Sequence, residues 1–288
     1  MARVTLRTKR IRYAADAPPR SREDVLAVEE PLQIRVRGHG EPSTSPPREL
    51  SVTMRTPGHD FDLVAGFLVG EGVLRRAEEI VTMRYCAGTD EQGRQTFNVV
   101  DVVLAEGVTP PAARQVTTTS ACGICGTTSI DEVLKAAPPW GLGDPDAGLI
   151  DVALLLALPE RLRAAQPLFE RTGGVHAAGL FTATGELLCV REDVGRHNAV
   201  DKVLGWALRD GRLPLAGTVL QVSGRASFEL VQKARQGGIP VLAAVGAASS
   251  LAVELAEQAG LTLVGFSRGT SANAYTHPGR VAAADRRS

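Results

Sequence analysis

From Val4 to about Arg55 the sequence shows the alternation of apolar and polar positions that is typical of β-strands with one buried face, and two further strands are predicted before residue 104. The predicted strands are Val25–Glu30, Leu32–Arg37, Glu49–Arg55, Glu79–Cys86 and Thr96–Leu104. One helix, Asp60–Val73, is predicted between the third and fourth strands, and a turn rich in serine and proline separates the second strand from the third. The pattern therefore predicts a mostly antiparallel N-terminal sheet.

The pattern changes in the second half of the chain, where strands and helices alternate. The predicted helices are Ile150–Ala165, Arg196–Arg209, Ser227–Gln236 and Ser249–Ala259. The predicted strands are Val175–Phe181 and Leu187–Arg191, which form a hairpin turned at Ala183–Gly185, then Thr218–Val222, Pro240–Val245 and Leu261–Phe266. Alternation of this kind implies right-handed crossovers between parallel strands.

These elements assign the chain to the α/β fold class, with a mixed, largely parallel sheet that is covered on both faces. Residues 1–115 are predicted to form an N-terminal β-rich subdomain. Residues 116–288 are predicted to form the α/β core, which holds the cysteine pair Cys122 and Cys125 and the loops that follow the strands. The polar tail from Pro278 is expected to fray.

Composition narrows the class of protein further. The 288 residues are 44% apolar and 22% charged, which is enough to bury a full core. Thirty-two basic and thirty-two acidic side chains give a formal net charge of zero, so no global charge favours nucleic acid or an anionic membrane. The longest apolar run, Val152–Leu158, is far shorter than a membrane span of ~20 residues, and the basic start lacks the apolar region of a secretory signal. We expect a cytoplasmic protein.

The segment Cys122-Gly-Ile-Cys125 is the most informative chemical motif. The sequence of Ser129–Glu132 has the form of a capping box, so a helix is predicted to begin just after the thiols. The positive end of a helix favours thiolate over thiol, which makes a cysteine more nucleophilic. Four cysteines are too few for a disulfide scaffold, and Cys86 and Cys189 fall in apolar strands as packing residues.

Such a thiol pair can bind a metal, exchange electrons or carry sulfur. A structural zinc site needs two further ligands nearby, and the sequence has no second Cys-x-x-Cys and no closely spaced histidine pair. A zinc deaminase needs a proline before the first cysteine, where this chain has Ala121. A thioredoxin-like pair would lie between the first strand and helix of a small domain, whereas this one lies in mid-chain. These arguments leave zinc possible but unsupported, reject deaminase chemistry and rank thioredoxin-like dithiol exchange third.

Three polar segments follow predicted strands, where open α/β sheets bind ligands. These segments are Arg191–Asn198, Ser223–Ser227 and Gly265–Ser271. The second and third combine glycine with arginine ahead of a helix or turn, a combination that suits a phosphate group. Phe266 adds a ring that can stack on a base. Neither segment is a Walker A or GxGxxG loop, so the prediction is a nucleotide-like ligand held at this edge without a standard fingerprint.

Two histidines accompany these segments. His176 follows two glycines at the start of a predicted strand, and His197 lies within Arg191–Asn198. Both are candidates for a role in this ligand site, although a core imidazole satisfied by the backbone explains His176 equally well. Asp201 and Lys202 are expected on an ordinary solvated helix face.

Taken together in order, these motifs resemble the FdhD family of formate dehydrogenase accessory sulfurtransferases. The matching segments are Ser120–Gly126, Thr172–Ala177, Arg191–Lys202, Ser223–Glu229 and Gly265–Gly269. They span nearly the whole chain, and the twelve residues from Arg191 are much more specific than the thiol pair. Ala121 replaces a hydroxyl residue expected before the first cysteine, which leaves the chemistry intact.

The resemblance implies a homodimer with a cytidine-deaminase-like core, which passes sulfur from a cysteine desulfurase to the molybdenum bis(molybdopterin guanine dinucleotide) cofactor of formate dehydrogenase. It implies a persulfide on Cys122, with Cys125 in support. It implies contacts of the guanine nucleotide with Phe266, Ser267, Arg268, Gly269, Thr270 and Ser271, to which Ser223, Gly224, Arg225, His176 and His197 are added as candidates from their place at the sheet edge. GDP is expected to act as a fragment of that cofactor. A chaperone that only binds the pterin nucleotide, without chemistry at the thiols, stays as the alternative.

Overall fold

The computed structural model describes residues 3–42, 44, 46–86, 88–89, 95–110, 117–118 and 140–282. The thiol motif at Cys122 and Cys125, the helix predicted to begin at Ser129, and the boundary placed after residue 115 lie outside these residues.

The described residues form the following strands and α-helices. The strands are β1 (Thr5–Ala14), β2 (Ala17–Ala27), β3 (Glu30–Arg37), β4 (Arg48–Arg55), β5 (Ile80–Tyr85), β6 (Gly88–Thr89), β7 (Gln95–Thr96), β8 (Val99–Leu104), β9 (Thr117–Thr118), β10 (Ile150–Asp151), β11 (His176–Thr182), β12 (Leu187–Asp193), β13 (Thr218–Val222), β14 (Val241–Ala244), β15 (Thr262–Arg268), β16 (Ser271–Thr276) and β17 (Val281–Ala282). The α-helices are α1 (Asp60–Gly70), α2 (Val152–Ala164), α3 (Pro167–Thr172), α4 (Arg196–Arg209), α5 (Phe228–Gln236) and α6 (Ser250–Gln258).

The N-terminal sheet has the strand order β5-β8-β3-β4-β9. The pairs β3–β4 and β5–β8 are antiparallel, but β3–β8 and β4–β9 are parallel, so the mostly antiparallel sheet predicted from the sequence is wrong. Pairing direction depends on which distant strands meet, and local alternation does not contain that information. The strands β1 and β2 stand apart as a two-stranded ribbon.

The larger sheet has the order β12-β11-β13-β14-β15-β16. Among neighbouring strands, the pairs β13–β14 and β14–β15 are parallel. The pairs β12–β11, β11–β13 and β15–β16 are antiparallel. The predicted mixed α/β sheet is confirmed, but three of its five strand pairs are antiparallel, so the prediction that it is largely parallel is wrong. The predicted hairpin of β11 and β12 is confirmed, and its turn uses Gly185 at a φ of 80°.

Helix α2 begins later than predicted because Asp151 caps it. The Asp151 carboxylate accepts hydrogen bonds from the backbone N–H groups of Ala153 at 2.7 Å and Leu154 at 3.4 Å. The preceding pair Ile150–Asp151 instead forms a short parallel strand with β17. The chain is therefore held in place beyond Pro278, where fraying was expected.

Arg280 explains why the segment from Pro278 to β17 packs against the rest of the fold. Its side chain is buried, and its guanidinium donates to the carbonyl oxygens of Gly260 at 2.8 Å and Gly143 at 3.0 Å. Burying a guanidinium is costly unless its donors find acceptors, and these carbonyls supply them. The segment from Pro278 to β17 therefore packs as part of the fold, and the expectation of fraying there is wrong.

Helices α1 and α4 pack backbone against backbone at two glycines. A Cβ atom built on Gly66 would lie 1.7 Å from the carbonyl oxygen of Asp201, and one built on Gly205 would lie 1.8 Å from that of Asp62. One contiguous core runs from the N-terminal sheet through these helices to one face of the larger sheet. The two glycines therefore fix how closely the N-terminal elements approach the larger sheet.

Within the described residues, no helix combines the length and apolar composition needed to cross a membrane.

Candidate functional site

The topology brings the predicted polar segments to one edge of the larger sheet. Strands β13, β14 and β15 are parallel, so their carboxyl ends meet there. Strand β11 runs the other way and starts at this edge, because Ala178 pairs with Val222 and His176 pairs with Asp193 at the end of β12. The edge is the place where open α/β sheets bind ligands.

Backbone hydrogen bonds join the segments that follow β13 and β14 to the end of β15. The N–H of Gly246 donates to the carbonyl oxygen of Gly224 at 2.9 Å, and the N–H of Phe266 donates to that of Gly246 at 2.9 Å. A Cβ atom on Gly246 would lie 3.1 Å from the Gly224 oxygen, so the two backbones approach closely. The segments therefore form one continuous rim rather than separate mobile loops.

The segment Gly265–Ser271 differs from its predicted form. Instead of a loop after the strand, β15 continues to Arg268, and Gly269 and Thr270 form a tight turn into β16. The turn needs a positive φ, which Gly269 supplies at 60°. A register shift before Arg268 marks an irregularity in the pairing.

Phe266 lies at this irregularity in a left-handed conformation with a φ of 51°, which a non-glycine residue seldom adopts. Its ring is 36% exposed, and the Arg268 guanidinium carbon lies 5.6 Å from the ring centroid. Strained backbone of this kind is concentrated at functional sites. The ring and the cation therefore face solvent together at the rim.

Two serines of the rim have different environments. The Ser223 hydroxyl accepts a hydrogen bond from the N–H of Ala177 at 2.9 Å, which extends the pairing of β11 with β13. Ser267 is fully buried, and its hydroxyl oxygen has no hydrogen-bond partner among the described residues. An unsatisfied buried hydroxyl is uncommon and needs an explanation.

A cavity of about 450 Å³ opens beneath the rim, between α2, α3 and the sheet edge. Of the predicted residues, His176, Ser223 and Arg268 line it. The exposed side chains of Arg225 and Phe266 lie at the same edge but do not line this cavity. A volume of this size is typical of small-molecule sites.

The opposite wall of the cavity comes from residues that the sequence did not indicate. Arg163, Gln166 and Phe169 lie there, and the Arg163 guanidinium carbon lies 4.4 Å from the Phe169 ring centroid. No sequence pattern identifies these residues as part of a site, because arginine is common near the end of a helix. Only the packing of α2 against the sheet reveals their position.

His176 is half-buried at the start of β11, beside Gly224. A Cβ atom on Gly224 would lie 3.4 Å from His176 Nδ1, so glycine leaves the imidazole room. Burial lowers the pKa of His176 below its usual value, and the positive charge of Arg196 and the neighbouring His197 act in the same direction. The neutral imidazole is therefore the favoured form at neutral pH.

His197 lies in the first turn of α4 and is paired. Its Nε2 lies 2.7 Å from Glu229 Oε2 and 3.3 Å from the Ser227 hydroxyl. The hydrogen bond from His197 lowers the pKa of Glu229. The pair connects the start of α4 to the start of α5, and Arg196 beside it has a buried Nε without a partner in the described structure.

The twelve residues from Arg191 have mainly a structural role. Arg191 pairs with Asp62 of α1 at 2.9 Å, and Glu192 accepts the N–H groups of Leu168 at 2.9 Å and Phe169 at 2.8 Å. These contacts fix α1 against β12 and hold α3 at the wall of the cavity. The Glu192 carboxylate also lies at the N-terminus of α3, where the partial positive charge of the helix end stabilises it.

The expectation that Asp201 and Lys202 lie on a solvated helix face is wrong. Lys202 is buried and its Nζ lies 2.7 Å from Asp193 Oδ2, while Asp201 is buried and pairs with Lys233 at 2.5 Å. Both partners come from other elements. Charged residues are fully buried almost only when they are paired, and the sequence does not reveal the partners.

The thiols within the described residues are unsuited to nucleophilic chemistry. Cys189 is buried in β12, and burial raises its pKa to about 11. Cys86 follows β5, with its sulfur 2.6 Å from Asp101 Oδ2 and 2.9 Å from Arg35 Nη2, and burial raises its pKa as well. Its polar contacts differ from the packing role expected for it. Across the described ranges, no group of three histidine, cysteine or acidic side chains is arranged to hold a metal ion.

Comparison with known proteins gives consistent results. The model of the FdhD/NarQ family matches residues 27–282. The chain is 57% identical over 275 residues to the sulfur carrier protein FdhD of Nocardia farcinica, covering 95% of this chain and 94% of that protein. It is 55% identical over 285 residues to the protein of the same name from Streptomyces avermitilis, covering 98% and 97%. A crystal structure described as a formate dehydrogenase accessory protein from Desulfotalea psychrophila aligns with a TM-score of 0.73 at 26% identity, covering 97% of this chain and 100% of that one.

Proposed function

Because the chain belongs to the FdhD/NarQ family, we propose that it is a sulfur carrier that serves formate dehydrogenase. The observation that carries this proposal is the match over residues 27–282, together with more than 50% identity along nearly the full length of relatives named as sulfur carriers. In finer detail, the chain acts as a sulfurtransferase. It takes sulfur from a cysteine desulfurase and delivers it to the molybdenum bis(molybdopterin guanine dinucleotide) cofactor, which is its substrate rather than a resident group.

The first chemical step is a thiol exchange at Cys122. The Cys122 thiolate attacks the outer sulfur of the desulfurase persulfide, so that a new S–S bond forms on Cys122 and the desulfurase cysteine leaves as a thiolate. The step needs no oxidant, because one S–S bond replaces another. A single nucleophile is enough for this chemistry, and Cys125 has a supporting role in tuning that thiolate or in releasing a stalled sulfur.

The sheet edge supplies the handle for the guanine nucleotide. The guanidinium groups of Arg225 and Arg268 have no carboxylate within ion-pair distance among the described residues, so both are available to a diphosphate. Phe266 offers an exposed ring to the base, whereas the Ser267 side chain is fully buried and does not face the ligand. His176 and the cavity beneath the rim accept the part of the ligand that enters the fold, while Gly224 keeps that entrance open.

The proposal extends to the assembly. The core is cytidine-deaminase-like, the protein is a homodimer, and a cysteine desulfurase and formate dehydrogenase are its partners. Sequence identity to the named sulfur carriers supports the role, and the sheet-edge geometry supports the nucleotide handle. A cofactor-binding chaperone without thiol chemistry is the competing function, and the thiol variants below distinguish the two.

Sulfur loading tests the proposal directly. Wild type, Cys122→Ser and Cys125→Ser are incubated with a purified cysteine desulfurase and cysteine, and intact-protein mass spectrometry detects an added mass of about 32 Da, one sulfur atom. Wild type is expected to load, Cys125→Ser to retain a measurable part, and Cys122→Ser to lose it. An adduct on Cys122→Ser that maps to Cys125 overturns the assignment. A Cys122→Ser variant that still matures formate dehydrogenase establishes the chaperone instead.

A further inference from the structure

The ribbon formed by β1 and β2 is separate from both sheets and almost fully exposed. Its strands pair only with each other, from Thr5 opposite Ala27 to Ala14 opposite Ala17. It is attached at its base, where the N–H of Val28 donates to the carbonyl oxygen of Val4. The FdhD/NarQ family model begins at residue 27, so nearly the whole ribbon lies outside the family's shared core.

One face of this ribbon presents arginines in directly opposed pairs. Arg10 lies opposite Arg22, and Arg12 lies opposite Arg20, so the four side chains project from the same face. All four are exposed. Like charges directly opposite each other in an antiparallel pair are destabilising. Repulsion within the two arginine pairs therefore lowers the stability of the ribbon in the free protein.

The ribbon does not neutralise this charge itself. Residues 5–27 hold six basic and three acidic side chains, a surplus of three positive charges in a chain that is neutral overall. Arg10 pairs with Asp24 at 3.2 Å. Within the described structure, Arg12, Arg20 and Arg22 have no carboxylate at ion-pair distance. Three guanidinium groups on one face are thus left for another molecule.

Apolar side chains accompany the arginines. Leu6 lies opposite Leu26 on the arginine face, and each is 44% exposed. Tyr13, 76% exposed, follows Arg12 in the strand and therefore projects from the other face. Arginine is enriched at protein interfaces, and the two exposed leucines add apolar contact area to the arginine face.

We propose that the arginine face of the β1–β2 ribbon is a docking surface for an acidic protein surface. Guanidinium groups bind carboxylates in a bidentate geometry, and a carboxylate partner would remove the repulsion between Arg12 and Arg20. A nucleic acid fits less well, because the exposed Leu6 and Leu26 on the same face suit the apolar part of a protein interface and not a phosphate backbone. A second copy docked through the same face about a two-fold axis would bring two arginine clusters together.

Binding kinetics test the proposal. Wild type, Arg20→Gln/Arg22→Gln and the control Arg7→Gln/Lys9→Gln are measured by biolayer interferometry against purified formate dehydrogenase and purified cysteine desulfurase of the same organism. The control removes the same charge from the opposite face of the same ribbon. We expect the association rate for one of the two proteins to fall about tenfold in the first variant at low salt. The control is expected to change it less than twofold.

A second variant separates docking from folding of the ribbon. Arg20→Glu/Arg22→Glu turns both like-charge pairs into opposite-charge pairs, which favours the ribbon while it neutralises the face. Its association rate is expected to fall at least as far as that of the Gln variant. Retained binding by this variant shows that ribbon folding, and not the positive face, governs binding, which overturns the proposal.

Other outcomes also overturn the proposal. Equal loss in both Gln variants means that net charge alone matters. No binding of either protein to wild type, or a charge-dependent interaction that is seen only with duplex DNA, removes the acidic protein as the occupant. Sedimentation that shows dimer dissociation in the Arg20→Gln/Arg22→Gln variant assigns the face to a second copy. None of these results depends on sulfur loading of Cys122, so the two proposals fail separately.

Discussion

The carboxylate of Asp193 lies 2.7 Å from the ammonium nitrogen of Lys202, and both side chains are almost completely buried. Asp193 also accepts the N–H groups of Thr56 at 3.1 Å and Gly195 at 2.8 Å. One ion pair therefore joins the end of β12, the start of α4 and the chain that follows β4. Because His176 pairs with Asp193 across the sheet, this junction also fixes one side of the candidate site.

We predict that Lys202→Met destabilises the protein by about 3–5 kcal/mol, because Asp193 is left as a buried charge without its cation. Urea denaturation monitored by circular dichroism measures the change. Lys9→Met, at an exposed ribbon position, is the matched control and is expected to stay within about 0.5 kcal/mol of wild type. The double variant Asp193→Asn/Lys202→Met should recover part of the loss. A Lys202→Met cost below about 1 kcal/mol would contradict the role given to this pair.

The sequence predicted the elements around this junction but not the burial of its charges. Strands β11 to β15 and helices α4 to α6 were predicted within a few residues, because a buried face imposes a period that the sequence displays. Lys202 was placed in solvent because its burial depends on how α4 packs: its ion-pair partner Asp193 lies on the preceding strand β12, and the Thr56 carbonyl oxygen that it also contacts is 146 residues away. The pattern of apolar and polar residues did not delimit the strands β1 and β2, because neither face of this ribbon is buried.

The candidate site was predicted in part, for a similar reason. His176, Ser223 and Arg268 were found because they follow or begin strands whose ends the topology must bring together. Arg163 and Phe169 were missed, because their place in the cavity depends on how α2 and α3 pack against the sheet. The extension of β15 to Arg268 was also missed, since a left-handed Phe266 within a strand is a tertiary feature.

We predict that Gly205→Ala destabilises the protein by about 1–3 kcal/mol or more, because the added Cβ would lie 1.8 Å from the Asp62 carbonyl oxygen. The two helices must separate to admit the methyl group. Gly141→Ala serves as the control, because the nearest atom to its added Cβ lies 3.9 Å away. Thermal denaturation of both variants provides the comparison, and equal melting temperatures would refute the backbone contact of α1 with α4.

The pair of His197 and Glu229 predicts a specific acid sensitivity. The hydrogen bond from His197 lowers the pKa of Glu229 below 4.5, so the unfolded chain takes up the proton first as the pH falls. The stabilising contribution is therefore complete above about pH 4.5 and is lost as the pH falls through the lower folded pKa.

Glu229→Gln removes this titration, so its stability should fall less steeply than that of wild type below about pH 4.5. Urea titrations at several pH values between neutrality and the acid limb measure the two slopes. Glu254→Gln, at an exposed position on α6, is expected to keep the wild-type slope. Parallel curves for wild type and Glu229→Gln would show that the contact with His197 contributes nothing to folding.

The nucleotide handle gives the last prediction. Arg268 is exposed at the rim, beside the Phe266 ring and above the cavity, so its guanidinium can contact a diphosphate without first breaking an ion pair to a described residue. Arg268→Ala should weaken GDP binding by roughly 1.5–3 kcal/mol, about 10- to 150-fold, because a charge-assisted hydrogen bond is lost. Its melting temperature should stay close to that of wild type.

Titration calorimetry with GDP measures this effect and also places the ligand. Arg212→Ala is the control, because this exposed arginine lies past the far end of α4 and contacts the Trp206 ring. Arg163→Ala separates the cavity from the rim: weaker binding places part of the nucleotide between α2 and the sheet, whereas unchanged binding confines it to Phe266 and its neighbours. Equal affinity of wild type and Arg268→Ala would remove this segment from the site. Absence of GDP binding to wild type would leave the sulfur carrier without a nucleotide handle at the sheet edge.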